Sequence, residues 1–166
     1  KTWKDANGYT KKNETVSFPM VVGTDGKKYH LSVIRCANFL ALLAENDGIP
    51  YHTASNTGAG LIANYWLGAS NEGKVFDDQY INENLNKNGI CSAAFIGGRW
   101  VIWGAHAAEY DQDNGDNISV AETNYMMLFY LSNDFQARRT RDVDQPLSAN
   151  DIQSITAEEQ SRLDAL

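Results

Sequence analysis

The chain has 166 residues, of which 43% are hydrophobic and 21% charged, and its formal net charge is −7. That is an ordinary globular composition, long enough to bury a core, and one domain is the default expectation. The acidic balance, with no Lys/Arg cluster beyond pairs such as Arg138-Arg139, disfavours nucleic acid as a partner. No apolar run approaches the roughly 20 residues of a bilayer span, so no membrane insertion is expected.

Lys1 to Asn13 is polar and reads as a loop or frayed end. Val16 to Val22 fits a strand that Pro19 places at an edge or breaks, because proline cannot donate to a ladder. Thr24-Asp25-Gly26-Lys27 is a turn. Leu31 to Asn46 is a helix so apolar that packing on most sides is expected. Ile34, Ala37, Leu40, Ala41 and Ala44 form its stripe, broadened by Phe39, Leu42 and Leu43. Gly48 ends it and Pro50 prevents resumption. Tyr51 to Gly60 reads as a plain loop, since it lacks the lysine and spacing of a phosphate-binding loop. Leu61 to Leu67 is a short strand or helical turn, and Asn71-Glu72-Gly73 a further turn.

Asp77 caps a helix over Asp78 to Asn88, with Tyr80, Ile81 and Leu85 inward and Gly89 at its end. Two apolar runs follow, Ile90 to Ile96 and Trp100 to Trp103. Gly97-Gly98 between them signals a hairpin, because a tight primed turn needs positive φ at its centre. Neither run alternates, so both strands are expected to bury both faces. Glu109 to Asn117 is an acidic loop. Ser119 with Glu122 reads as the capping box of the longest helix, running to about Arg139. Val120, Thr123, Met127, Tyr130 and Asp134 lie along one line of it, and Leu128, Leu131 and Phe135 broaden the apolar side. Ser148 caps the last helix, Ala149 to Leu166. Helices around a small sheet make an α/β (α+β) fold: a small mixed sheet with a central hairpin packed against several helices.

Chemistry-bearing residues are sparse. A cysteine hydrolase needs a thiolate beside a base, and the candidates are Cys36 or Cys91 with His30, His52 or His106. Cys36 falls on the expected buried face of its helix and Cys91 inside a strand, positions of inert core thiols. Two such thiols suit a reducing compartment. Asp111, Asp113, Asn117, Ile118 and Glu122 follow part of a calcium-loop template. Asp116 stands where that template needs glycine, Gly115 comes one place early, and Glu122 is taken by the capping box. No metal site, cofactor site or catalytic residue is assigned.

Several landmarks in order resemble the contractile-phage tail sheath protein family, which includes sheaths of phage-tail-like bacteriocins. NGICSAAFIGGRWVIWG, Asn88 to Gly104, is similar to the family's Gly-Ile step into a short strand and then an aromatic strand ending in Trp-Gly. Leu31 to Asn56 resembles a capped helix followed by a Gly-x-Pro and Ala-Asn turn, here Gly48, Pro50 and Ala54 to Asn56. Phe76 to Leu85 resembles the helix carrying an Asn-Leu element, here Asn84-Leu85. Val120 to Phe135 occupies the place of the family's long helix, and Asp142 to Leu147 resembles its Val-Asp-x-Pro link. The resemblance covers about Phe18 to Leu166. Two arginine features of the family are replaced, by Ala105-His106-Ala107 and by Ala121-Glu122.

The resemblance implies a structural, non-enzymatic protein of the virion tail, assembled in the host bacterial cytoplasm. Such subunits stack as helical hexameric rings around an inner tail tube and contract to drive the tube through a cell envelope. The implied partners are neighbouring sheath subunits, the tube protein, and baseplate and tail terminator proteins. Lys1 is not a methionine, no signal-peptide pattern is legible, and Leu166 falls inside an amphipathic pattern (Ile152, Ile155, Leu163). The chain is therefore expected to be one domain, 1–166, of a longer sheath protein without its terminal arms, and monomeric in isolation. A small hydrolase using Cys91 or Cys36 with a histidine is the alternative.

Overall fold

In a computed structural model that describes residues 2–11, 13–68, 76–111 and 121–166, the chain opens with a short helix, α1 (Thr2–Ala6), where a loop is expected. Lys4 is the reason. It is 3% exposed, and its ammonium donates to backbone carbonyls far along the chain, including Ala108 O at 2.6 Å. A buried charge persists only when its hydrogen bonds are met, so the segment is pinned at this residue.

Pro19 breaks the predicted strand in two. β1 (Val16–Ser17) and β2 (Met20–Gly23) go to different sheets. β2 turns at Gly26, where Gly23 N donates to Lys27 O at 2.7 Å, into β3 (Lys28–His30). The predicted helix follows as α2 (Leu31–Glu45), and the segment from Leu61, read as either a strand or a helical turn, is a strand, β4 (Ile62–Trp66). Asp77 caps α3 (Asp78–Tyr80) as read, its Oδ1 accepting from Tyr80 N at 2.7 Å. The helix continues as a π-helical turn, Ile81–Leu85, and a 3₁₀ turn, Asn86–Asn88. Ile81 and Leu85 are buried, but Tyr80 is exposed.

β5 (Ile90–Ile96) and β6 (Arg99–Trp103) are the central hairpin. Gly97 and Gly98 have φ of 60° and 79°, the angle pair a two-residue primed turn requires. β5 pairs with β1 in parallel and with β6 antiparallel, giving the expected mixed sheet. A second, antiparallel sheet in the order β3-β2-β4 is an addition to that expectation. β3, at three residues, is too short to carry a legible period, and the pairing of β2 with β4 across the intervening helix is not written in either segment.

The hairpin does bury both faces over most of its length. Cys91, Ala93 and Ile102 join Val21, Leu31, Ile34 and Ile62 in one cluster. Ile90, Ala94 and Val101 join Ile81 and Leu85 in another. The run Cys91-Ser92-Ala93-Ala94 is made of small side chains, which lets structure approach from either side. The outer end is open, with Phe95 at 58% exposure. The loop after Pro50 is more than a connector. Ala59 N donates to Trp100 O (2.9 Å) and Ile102 N to Thr57 O (3.0 Å), so residues 56–59 run as an extra edge along β6.

α4 (Glu122–Arg139), a 3₁₀ turn (Thr140–Asp142) and α5 (Ala149–Leu163) complete the chain. Ser148 caps α5 with Asp151 as its capping-box partner. Along α4, Thr123, Met127, Tyr130 and Asp134 are half-buried, while Leu128 and Phe135 are exposed. The chain divides into two compact units, 1–131 and 132–166. The second is held by ions rather than a core, and no residue of α5 is buried. Arg138 donates to Asp134 (3.0 Å) and to both oxygens of Glu159, Arg139 donates to Glu158 (2.6 Å), and Arg162 pairs with Asp134.

Candidate functional site

The two thiols sit in opposite environments, and one corrects the sequence reading. Cys91 is buried in β5, and burial pushes its pKa up to about 11. Arg35 pulls that value down and Glu122 pushes it up, so the two charges oppose each other at the sulfur. A thiol held protonated is a poor nucleophile. Cys36, expected on a buried helix face, is exposed.

The cause of that reversal is Arg35. It is 3% exposed and paired in the interior with Glu122, which is 7% exposed. The packed side of α2 is Leu31, Ile34, Arg35 and Phe39, which are buried, with Asn38 and Leu42 half-buried beside them. Asn38 belongs there because its amide donates to Thr57 Oγ1 and Gly58 O, both at 3.0 Å. Of the stripe expected to be buried, Ile34 is packed, as is Phe39 beside it, but Ala37, Leu40, Ala41 and Ala44 are exposed, with Val33 and Cys36 next to them. The helix therefore has two apolar faces, of which one is packed and one is open.

The histidines do not meet the thiols. His30 and His52 are exposed, and His30 stands at the start of α2 without making a side-chain cap. His106 is half-buried and stacks face to face on Tyr110 with ring centroids 3.7 Å apart. Burial lowers its pKa, which favours the neutral ring. Among the described residues no histidine hydrogen-bonds a cysteine; the Cys91 thiol donates to Ser92 O.

Most of the calcium-loop template, Asp113 to Ile118, lies outside the described residues, as do Ser119 and Val120. Its twelfth position, Glu122, is described. Its carboxylate serves the Arg35 ion pair, and that use accounts for its burial. Among the described residues no cluster of three or more His, Cys, Asp or Glu side chains is placed to hold a metal. No helix among them is long and apolar enough to cross a membrane.

What the first unit offers is surface. Beside the open face of α2 (Val33 61% exposed, Leu40 58%), the hairpin tip exposes Phe95 and the N-terminal segment exposes Trp3. A shallow groove of about 280 Å³ lies at the tip, lined by Gly58, Ile62, Phe95, Arg99 and Trp100. Arg35 and Lys4 are the structurally decisive residues that sequence reading passed over. Arg35 stands as a lone cation inside an apolar helix and Lys4 as one of several lysines in a polar segment, and nothing local distinguishes either from a surface charge. Comparison with models of known protein families and with curated proteins finds no match to this chain.

Proposed function

We propose that the chain is a structural module of an assembly of the contractile-sheath type. It is a core piece of a subunit that stacks with its neighbours in helical hexameric rings around an inner tube. The observation that carries the reading is the second apolar face of α2. Val33, Ala37, Leu40, Ala41 and Ala44 recur at helical spacing, and all five are exposed although the unit already has its own packed core. An apolar stripe in water costs free energy until another surface covers it, and contiguous patches of this kind mark contact sites.

The ordered landmarks from Leu31 to Leu147 support the same reading. A head-to-tail contact that does not close on itself generates a helix, the geometry such an assembly needs. Work in a contracting lattice is done by subunits moving mainly as rigid bodies. A core like that of β5 and β6, packed on both faces with small side chains, transmits force with little deformation. The burial and raised pKa of Cys91 count against the hydrolase alternative through that thiol; Cys36 is exposed, and among the described residues it has no hydrogen bond to a histidine.

The test is the full-length gene product that carries this segment. Helical tubes seen by electron microscopy, with the isolated 166-residue chain monomeric on sizing chromatography, support the reading. A full-length product that stays monomeric, or that turns over a thiol-dependent substrate, overturns it.

A further inference from the structure

Lys4 fills a site that has the chemistry of a cation cage. Its ammonium donates to Ala108 O at 2.6 Å, Tyr110 O at 3.2 Å and Asn88 O. These carbonyls come from two separate stretches. Asn88 O lies at the C-terminal end of the helical run begun by α3, where the unsatisfied carbonyls make the negative pole of the helix. Ala108 and Tyr110 lie in the turn after β6, which Tyr110 N closes on Ala107 O at 3.1 Å.

The approach of the two stretches is built in. Gly89 follows Asn88 with φ 69°, and a Cβ there would stand 2.6 Å from Ala107 O and 3.1 Å from Tyr110 O. Only glycine lets the helix end lie this close to the carbonyls of the turn. The helix that delivers the ammonium is five residues long, and its Trp3 is 62% exposed. The carbonyl cluster is thus made by the body of the unit, and α1 supplies the charge that fills it.

We propose that the carbonyls of Asn88, Ala108 and Tyr110 form a monovalent-cation site that Lys4 occupies from within the chain. Potassium or ammonium ions take the site when the Lys4 side chain is removed. Converging carbonyls at these distances replace the hydration shell of a large monovalent ion, and ammonium is close to potassium in size and charge. In the intact protein tethering gives the lysine a standing advantage over dissolved ions. The intact chain is therefore indifferent to which monovalent salt is present.

The test compares thermal unfolding of the intact chain and of Lys4→Ala in potassium, ammonium and tetramethylammonium chlorides at one ionic strength. The expected result is a lowered Tm for Lys4→Ala in tetramethylammonium, a saturable rise of several degrees in potassium or ammonium, and no difference among the salts for the intact chain. Lys4→Met, which keeps most of the apolar stem, is measured alongside and is expected to show the same salt dependence. Equal Tm in all three salts for the variants overturns the proposal, as does failure of both variants to fold in every salt.

Discussion

The guanidinium of Arg35, from the packed face of α2, pairs with the carboxylate of Glu122 at the start of α4, and both are almost wholly buried. Arg35 Nη2 also donates to Gly104 O, while its Nε and Nη1 have no acceptor among the described residues. The pair therefore holds two charges in the interior with incomplete hydrogen bonding. Removing one partner is expected to be much worse than removing both. Glu122→Gln should lower the unfolding free energy by about 3–5 kcal/mol, because it strands the arginine. The double variant Arg35→Met with Glu122→Leu should fall within roughly 2 kcal/mol of the parent, on either side, since apolar replacements of a buried pair are often neutral or better. Urea unfolding of the parent, the single and the double variant decides this. A double variant as unstable as the single would show that the pair is worth more than its desolvation cost.

The thiols give a second prediction. A colorimetric disulfide reagent near pH 8 should modify Cys36 in the native protein and reach Cys91 only on unfolding. The sign of the pH effect follows from burial. The folded state holds the Cys91 proton up to about 11, against 9.0 for the free group. Between those values the folded protein binds more protons than the unfolded one. Stability is then lost as pH rises through that window, by roughly 3 kcal/mol in all at about 1.4 kcal/mol per unit. Rapid native labelling of Cys91 at neutral pH would contradict the burial argument.

These two residues also show what was readable. Gly97-Gly98, the caps Asp77 and Ser148, and the break at Pro19 announce themselves locally, because turn and cap chemistry depends on a few adjacent residues. The central hairpin follows from that, and its two-sided burial from the lack of apolar/polar alternation in either run. Arg35 could not be read this way. Its partner stands 87 positions away, and by periodicity alone a cation within Leu31 to Asn46 belongs to the solvent side. Its burial shifts the packed face of α2, so Cys36 and Leu40 are exposed while Ile34 and Phe39 are buried as expected. Lys4 failed for the same reason, since its acceptors are backbone atoms 84 to 106 positions away, which no side-chain pattern reports.

His106 gives an acid-side prediction. Burial lowers its pKa below the ordinary 6.5, so the folded state resists the proton that the unfolded chain accepts. The stability this contributes is present above pH 6.5 and lost as pH falls through the folded value. His106→Phe keeps an aromatic ring against Tyr110 and removes the titration. Its unfolding free energy should fall less than the parent's between pH 7 and pH 5. Parallel profiles for the two proteins would assign the acid sensitivity elsewhere.

In the second unit the interactions are ion pairs between mostly half-buried side chains that water still reaches, and salt should weaken them. Glu159 has its pKa lowered chiefly by the hydrogen bond from Arg138, and the Arg138 guanidinium is in turn stabilised by Glu159 and Asp134. A lowered carboxylate pKa means stability present at neutral pH and lost as pH drops through the folded value. Screening acts on the same pairs at any pH. Hydrogen exchange of amides in residues 149–163 should quicken in 1 M salt, on acidification, and in Arg138→Ala, while amides of β5 do not change. Equal protection of α5 in low and high salt would show that its apolar residues hold it instead.

The open face of α2 separates folding from assembly. Leu40 is 58% exposed and contributes little to the packed side of its helix. Leu40→Glu should therefore leave the isolated chain within about 0.5 kcal/mol of the parent, as surface changes do. In the full-length product the same change places a charge on the surface proposed to meet a neighbour, where burial without a partner costs several kcal/mol per contact. Because the contact repeats along a helical assembly, tubes should be absent from Leu40→Glu preparations in electron micrographs, while circular dichroism and Tm of the isolated chain are unchanged. Normal tubes from Leu40→Glu would remove α2 from the interface. A chain that unfolds on this substitution would instead make Leu40 part of the core, and the argument from an uncovered apolar face would fail with it.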